Sequence, residues 1–148
     1  MRKELKYLIN QGDLELLYLY LLDNGFDVLY PSRTICSIYY DTESFLLFNY
    51  SENGFSRRSK VRIRHYNNGV EEAFLEFKHK HDEAGTKTRH SIFQYDNQLN
   101  ICSNKFKNFK IPIKINADLA PTIGVRYFRY YLLSKCGDIR ITIDKNLE

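Results

Sequence analysis

The sequence contains little that would point to disulfides, export or membrane insertion. Of its 148 residues only three are cysteines, Cys36, Cys102 and Cys136. Their odd number and wide spacing favour reduced thiols over a disulfide framework or a zinc knuckle. The apolar stretch from Leu14 to Leu22 carries Glu15 and is far shorter than a bilayer-spanning helix, and the first four residues form no apolar signal core. We therefore expect a cytoplasmic protein without a transmembrane segment.

The chain also lacks an extreme charge, an internal repeat and a low-complexity tract. A net charge of +4 and a pI near 8.9 do not separate a phosphate-binding protein from an ordinary basic one. No RNP, KH or helix-turn-helix signature occurs, so we expect no specific nucleic acid as a partner. With 12 tyrosines and 10 phenylalanines the chain can bury a core. Its length suits a single domain over residues 1–148.

Hydrophobic periodicity predicts mainly strands, with short helices between them. Asp13 as an N-cap and Asn24-Gly25 as a stop signal bound the first helix, and Asn67-Asn68-Gly69 marks a hairpin loop. The predicted strands are Arg2–Ile9, Thr34–Asp41, Lys60–Tyr66, Glu72–Lys80, Thr86–Phe93, Ile123–Leu133 and Ile139–Ile143, and the predicted helices are Leu14–Leu22, Thr42–Tyr50 and Asp96–Asn104. A final hairpin turn is expected near Lys135–Asp138, and residues 105–119 are ambiguous.

Basic residues recur at every second position of these strands. Because side chains alternate across a strand, Lys60, Arg62 and Arg64 share one face, while Val61 and Ile63 project to the other. The same period groups Glu76 with Lys78 and Lys80, Lys87 with Arg89, Tyr127 with Arg129, and Arg140 with Asp144. In a closed barrel such cations would repel one another unless an anion lay between them, and a phosphate chain is a natural counter-ion. Arginine suits this role because its planar fork pairs with phosphate oxygens.

Several ordered motifs resemble the VTC-type polyphosphate polymerase domain over nearly the whole chain. They are Arg2-Lys3-Glu4-Leu5-Lys6-Tyr7, Ser37-Ile38-Tyr39-Tyr40-Asp41-Thr42, Lys60-Val61-Arg62-Ile63-Arg64-His65-Tyr66, Leu75-Glu76-Phe77-Lys78, Lys87-Thr88-Arg89, Val125-Arg126-Tyr127-Phe128-Arg129 and Arg140-Ile141-Thr142-Ile143-Asp144. That domain belongs to the triphosphate tunnel metalloenzymes. The resemblance implies an α+β fold in which an eight-stranded antiparallel β-barrel forms a tunnel flanked by short helices. It also implies ATP as phosphoryl donor, polyphosphate or triphosphate in the tunnel, and Mn²⁺ or Mg²⁺ as cofactor.

The resemblance assigns roles to particular residues of this sequence. Transfer of the γ-phosphoryl of ATP to a polyphosphate chain would involve Arg129, Tyr127 and Lys78. Phosphates would be bound by Lys6, Arg62, Arg64, Lys87, Arg89 and Arg140. Glu76 and Glu4 would hold the metal. The first strand reads Arg-x-Glu-x-Lys rather than the Glu-x-Glu-x-Lys of the hydrolytic tunnel enzymes, which favours a polymerase.

The sequence departs from the family pattern at its end. Members of the family continue into a further strand with a Glu-x-Lys pattern, whose glutamate binds metal, and then into a basic helix. This sequence ends at Glu148. The barrel is therefore expected to be incomplete, either as a truncation or as a short protein whose tunnel a second chain completes. Loss of a metal ligand would leave phosphate binding with little turnover.

Simpler interpretations apply to each feature. The row Lys60, Arg62, Arg64 could be a solvated strand face, and Glu76 could form an ordinary cross-strand ion pair. His79 and His81 could be surface residues rather than zinc ligands. Tyr127, Tyr130 and Tyr131 suit packing better than base stacking. The alternative functions are a triphosphate hydrolase of the same fold and a non-catalytic polyphosphate- or polyanion-binding module.

Overall fold

A computed structural model describes residues 4–67, 72–82, 84–93 and 118–148 of the chain. Within these residues, a short 3-10 helix over Gln11–Asp13 leads into the first α-helix. The helices are α1 (Leu14–Asp23) and α2 (Leu46–Glu52), and the strands are β1 (Phe26–Asp41), β2 (Arg57–Tyr66), β3 (Glu72–His81), β4 (Ala84–Phe93), β5 (Ala120–Ser134) and β6 (Arg140–Lys145).

The strands form one six-stranded sheet in the order β4-β3-β2-β1-β5-β6. The pairs β1–β2, β2–β3, β3–β4 and β5–β6 are antiparallel, so the expected α+β class with an antiparallel sheet is confirmed. In the described part of the chain the sheet ends at β4 and β6 and does not close into a barrel. Two compact units can be distinguished, a first unit of Met1–Thr34 with Tyr127–Glu148 and a second unit of Ile35–Arg126.

Alternation of apolar and polar residues builds the core of the second unit. On β2 and β3, Val61, Ile63, Leu75 and Phe77 project to the same face and are at most 1% exposed. Leu47 of α2 packs against this face. Asp41 fixes the start of α2, because its carboxylate accepts hydrogen bonds from the backbone N–H groups of Leu47 and Phe48. Burial of each large apolar side chain contributes about 1.5–3 kcal/mol, so this face anchors the sheet.

In the first unit, helix α1 covers the β5–β6 hairpin. Leu21 of the helix packs with Leu132 and Ile143, which lie on neighbouring strands. The helix ends as predicted, since Gly25 has a φ of 85°, a left-handed conformation that favours glycine. Gly137, with a φ of 80°, likewise forms the predicted turn before β6.

Several element boundaries differ from the sequence-based expectations. The predicted strand Arg2–Ile9 is wrong over its described part, because residues 4–10 adopt no regular structure and Leu8 is fully exposed. An alternating segment becomes a strand only when a neighbour satisfies its backbone groups, and no described strand pairs with this one. Strand β1 begins at Phe26 rather than Thr34, and α2 begins at Leu46. The predicted helix Asp96–Asn104 lies outside the described residues.

Candidate functional site

One face of β2, β3 and β4 carries the predicted basic residues in cross-strand rows. The register aligns Lys60, Lys78 and Lys87 in one row, and Arg62, Glu76 and Arg89 in the next. Arg64 and Phe74 form a third row with Ser91, and Arg58 and Lys80 form a fourth with Gly85. We call the basic members of these rows the cationic face: Arg58, Lys60, Arg62, Arg64, Lys78, Lys80, Lys87 and Arg89. The expected alternation is confirmed, since Val61 and Ile63 lie in the core on the opposite side.

Glu76 is the carboxylate at the centre of this face. It is only 2% exposed. Arg62 donates from Nε to Glu76 Oε2 over 2.7 Å, and its terminal nitrogen lies 2.6 Å from the same oxygen. Lys87 Nζ is 2.7 Å from Glu76 Oε1, and Arg89 Nε is 3.8 Å from it. One buried carboxylate thus interacts with cations from both neighbouring strands.

The charges of this network determine how its members titrate. Burial raises the pKa of the Glu76 carboxyl, but Lys87 and Arg62 stabilise the ionised form more strongly, so the pKa lies below its ordinary value. Burial lowers the pKa of Arg62, while Tyr39 and Glu76 raise it, and the balance lies above the ordinary value. Both groups therefore remain charged at neutral pH. The carboxylate offsets part of the positive charge of the face.

Aromatic and hydroxyl groups hold the arginines of the face in place. The Arg89 guanidinium lies 3.4 Å from the centre of the Phe74 ring. Arg62 lies 5.8 Å from the centre of the Tyr39 ring and donates to its hydroxyl over 3.1 Å. Arg64 is only 9% exposed and donates from Nε to Ser37 Oγ over 3.1 Å. Such contacts reduce the rotamer freedom that an arginine would lose on binding an anion.

The lysines of the row that neighbours Glu76, in contrast, lie at the surface. Lys60, Lys78 and Lys87 are exposed, and the Lys87 side chain keeps half of its surface accessible. Like charges directly opposite on neighbouring strands destabilise a sheet. An anion that contacts all three strands would relieve this repulsion, so the row of lysines is suited to receive one.

The predicted residues near the end of the chain lie in the first unit. Arg129 of β5 faces Asp144 of β6, and its Nε and a terminal nitrogen donate to the two carboxylate oxygens over 2.5 and 2.6 Å. These hydrogen bonds raise the pKa of Arg129 above its ordinary value. The Arg129 guanidinium also lies 5.0 Å from the centre of the Tyr127 ring, whereas Arg140 is exposed. The Arg129 guanidinium is therefore paired with a carboxylate of the same chain.

The predicted metal ligands do not form a metal site within the described residues. Glu76 is occupied by its cations, and Glu4 is exposed in a segment without regular structure, as is Lys6. Among the residues that the structure describes, no group of three or more His, Cys, Asp or Glu side chains is placed to hold a metal ion.

Residues that the sequence reasoning did not single out also contribute. Arg33 of β1 donates from Nε to the Tyr131 hydroxyl over 3.1 Å and lies 5.2 Å from the centre of its ring. Tyr39 positions Arg62, and Arg58 extends the cationic face by one row. The strand alternation that revealed Lys60 would have revealed Arg58, had the strand been started at Arg57. Arg33 precedes the predicted strand Thr34–Asp41, whereas β1 begins eight residues earlier than predicted, at Phe26.

The histidines and tyrosines that had simpler interpretations make local contacts. Ser59 Oγ and His79 Nδ1 lie 2.6 Å apart, and His81 Nδ1 is 3.3 Å from the Asp82 carboxylate. Tyr130 packs beside Tyr18 of α1, with ring centres 4.5 Å apart. These contacts are typical of packing and surface residues.

The described part of the chain is an antiparallel sheet that has a cation-rich face and short flanking helices. The family model of the VTC domain matches residues 1–148, and the chain therefore belongs to the VTC domain family. No curated protein matches it in sequence. Among the described residues, no helix has the length and apolar character needed to cross a membrane.

Proposed function

We propose that this chain binds inorganic polyphosphate on its cationic face and extends it with phosphoryl groups from ATP. The proposal rests on the arrangement of basic residues in cross-strand rows, in which Glu76 supplies the only carboxylate. The chain that carries these rows belongs to the VTC family. A solvated sheet face would normally intersperse charges of both signs. The excess of cations favours a polyanionic ligand.

The proposed reaction is an in-line transfer with little covalent chemistry for the protein to perform. A terminal oxygen of the polyphosphate attacks the γ-phosphorus of ATP, the bond from this phosphorus to the β–γ bridging oxygen breaks, and ADP leaves. Catalysis then depends on positioning and on stabilising the charge of the transferred group. In this proposal Arg62, Arg64, Lys87 and Arg89 bind phosphates. Lys78 approaches the transferring group.

The residues of the first unit have the roles that the family resemblance gives them. Arg129 and Tyr127 act near the transferring phosphoryl, and Lys6 and Arg140 bind phosphates. In this proposal a phosphate oxygen replaces Asp144, whose carboxylate now accepts hydrogen bonds from Nε and one terminal nitrogen of Arg129. The proposal also requires the sheet to form part of a closed tunnel, which further residues or a second chain would complete. ATP as the donor favours a cytoplasmic site of action.

A divalent cation, Mn²⁺ or Mg²⁺, is part of the proposal as the ion that would accompany the phosphates. When bound, such an ion neutralises charge on the phosphate oxygens. Glu76 could serve as a ligand only after Lys87 and Arg62 turn toward phosphate, and Glu4 would have to approach it. Isothermal titration of the full chain with MnCl₂, with and without tripolyphosphate, tests this. Binding of Mn²⁺ only together with the anion is expected.

The test of function is product analysis. The full chain is incubated with ATP and MnCl₂, and ADP release is measured beside polyphosphate resolved on a gel. Polymer formed together with ADP supports the proposal. Phosphate release from ATP or tripolyphosphate without polymer would instead identify a hydrolase. Lys78→Met removes an exposed lysine of the cationic face and tests the site. Lys135→Met removes an exposed lysine in the β5–β6 turn and is the matched control.

A second candidate is binding of polyphosphate without turnover. Glu76 favours this function, because its carboxylate is paired with basic side chains and is not grouped with other described carboxylates that could bind a metal ion. This function predicts tight tripolyphosphate binding, no ADP release, and no effect of metal on affinity. The same incubation and titrations separate it from the polymerase.

A further inference from the structure

The cationic face extends beyond the Glu76 network toward one end of the β2–β3 hairpin. Past the row of Arg62 and Glu76 come the row of Lys60 and Lys78 and then the row of Arg58 and Lys80. Successive rows lie two residues apart along the strands, or about 6.8 Å. The rows from Arg64 to Arg58 therefore span about 20 Å, which is longer than three linked phosphate groups.

We propose that the row of Arg58 and Lys80 is an outer subsite that makes this chain prefer long linear polyphosphate to a triphosphate. The inference rests on the proposed function and deepens it by assigning a preference for chain length to two further residues. A triphosphate can contact the Arg62 and Lys60 rows, where the basic side chains already balance its negative charge. A longer chain adds contacts with the outer row, and each added cation contributes to affinity for a polyanion.

The charge distribution supports a ligand that follows the strands. Lys60 and Lys78 are exposed, and Arg58 and Lys80 are half-buried, so none of the four side chains is enclosed in the core. Lys87 of the Lys60 row pairs with Glu76, which also compensates Arg62 and Arg89. The other four basic residues of the two outer rows lie in rows that contain no carboxylate. Their mutual repulsion is relieved by a ligand that carries charge along its whole length.

The outer rows also favour a bare phosphate chain over single-stranded RNA. Proteins that bind single strands without sequence preference stack bases on aromatic side chains beside a basic groove. On this face of β2, β3 and β4, the described aromatic contacts, such as Phe74 under Arg89, lie at the inner rows. The rows of Lys60 and Arg58 contain lysine, arginine and Gly85 only. A ligand without bases suits this surface.

Gly85 allows the subsite to be tested without removing any contact. It lies in the outer row opposite Lys80, and a Cβ added there would meet Lys80 Cγ at 3.7 Å, an ordinary van der Waals distance. Gly85→Glu therefore places a carboxylate in the outer row, and Gly85→Gln is the neutral control. Thr86→Glu adds the same charge to the opposite face of β4, because side chains alternate.

The experiment is a fluorescence competition assay on the full chain with tripolyphosphate, a long polyphosphate and a single-stranded RNA homopolymer. Gly85→Glu is expected to weaken binding of the long polyphosphate by about fivefold or more at low salt, and tripolyphosphate by less than about twofold. The double variant Arg58→Ala, Lys80→Ala should behave likewise and lower the salt dependence by about one per lost cation. Gly85→Gln and Thr86→Glu should match the wild type.

Equal effects of Gly85→Glu on both phosphate ligands, or no effect on either, would overturn the outer subsite. Tighter binding of RNA than of polyphosphate at equal charge would overturn it as well and assign the surface to nucleic acid. If the wild type binds tripolyphosphate and the double variant Lys60→Gln, Lys78→Gln binds it more weakly, phosphate binding on the cationic face stands even where the outer subsite fails. If neither phosphate ligand binds, both proposals fail.

Discussion

Glu76 lies directly opposite Arg62 on the neighbouring strand, and one of its oxygens is 2.6 Å from a terminal nitrogen of that arginine. The carboxylate is buried, while Lys87 and Arg89 reach it from the other side at 2.7 and 3.8 Å. An acidic side chain at this position acts as an internal counter-ion for the cationic face. The relationship leads to predictions about stability, pH and ligand binding.

Replacing Glu76 by glutamine is expected to destabilise the protein and to increase its stabilisation by phosphate. The amide keeps the shape of the side chain but leaves Arg62, Lys87 and Arg89 without their shared anion. A loss of about 1–3 kcal/mol in the free energy of unfolding is expected, measured by denaturant titration. Adding tripolyphosphate should raise the melting temperature of this variant more than that of the wild type. Glu43→Gln, an exposed carboxylate with the same charge change, is the control.

If Glu76→Gln and Glu43→Gln have the same stability, the buried ion pairs contribute nothing measurable. If tripolyphosphate stabilises both equally, then Glu76 does not share its cations with the ligand. Either result would remove Glu76 from the account of the site.

The lowered pKa of Glu76 predicts how stability depends on pH. Its ordinary value is 4.5, and the folded protein holds it below that. As the pH falls below 4.5, the unfolded chain takes up the proton first, so the free energy of unfolding decreases until the folded pKa is passed. Denaturant titrations between pH 7 and pH 3 should show this decrease in the wild type. It should be smaller in Glu76→Gln, and equal slopes would contradict the prediction.

His65 should produce a second decrease at higher pH. Burial, together with the charge of Arg126, lowers its pKa below the ordinary 6.5. Between pH 6.5 and the folded pKa the unfolded chain binds more protons than the folded one, so stability falls as the pH falls through this window. Substitution by a non-titrating residue, His65→Gln, should flatten the curve there. The control variant is His81→Gln, which removes an exposed imidazole instead of a partly buried one.

Asp144 is predicted to compete with phosphate for Arg129. The pair is partly exposed, so Asp144→Asn should cost less than about 1 kcal/mol in unfolding free energy. With the guanidinium released, tripolyphosphate affinity should rise severalfold in calorimetric titrations. Asp138→Asn, in the exposed turn before β6, removes the same charge elsewhere. Unchanged affinity in Asp144→Asn, or an equal gain in Asp138→Asn, would exclude the competition.

The alternation of β2, β3 and β4 made their faces predictable, because a period of two fixes which side chains share a side. The separation of Lys60, Arg62 and Arg64 from Val61 and Ile63 follows from that period alone. The period does not reveal cross-strand partners. The ion pair between Lys87 and Glu76 and the contact of Arg89 with the Phe74 ring are therefore seen only in the structure.

The beginning of the sequence shows where prediction from the alternating pattern fails. Residues 4–9 alternate like a strand, yet they have no strand partner among the described residues, and alternation alone cannot supply one. The metal assignment of Glu76 and Glu4 was taken from the family resemblance, whereas the charge around Glu76 depends on neighbours from two other strands.

The central claim is that the cationic face of β2, β3 and β4 binds a chain of phosphates. A titration of the isotope-labelled full chain with tripolyphosphate, followed by amide and arginine side-chain NMR, tests it most directly. The account predicts saturable shifts at Lys60, Arg62, Lys87 and Arg89, with little change in the outward residues of α1 such as Leu19. Shifts confined to other parts of the chain, or no shifts at all at concentrations that saturate other phosphate-binding proteins, would contradict it.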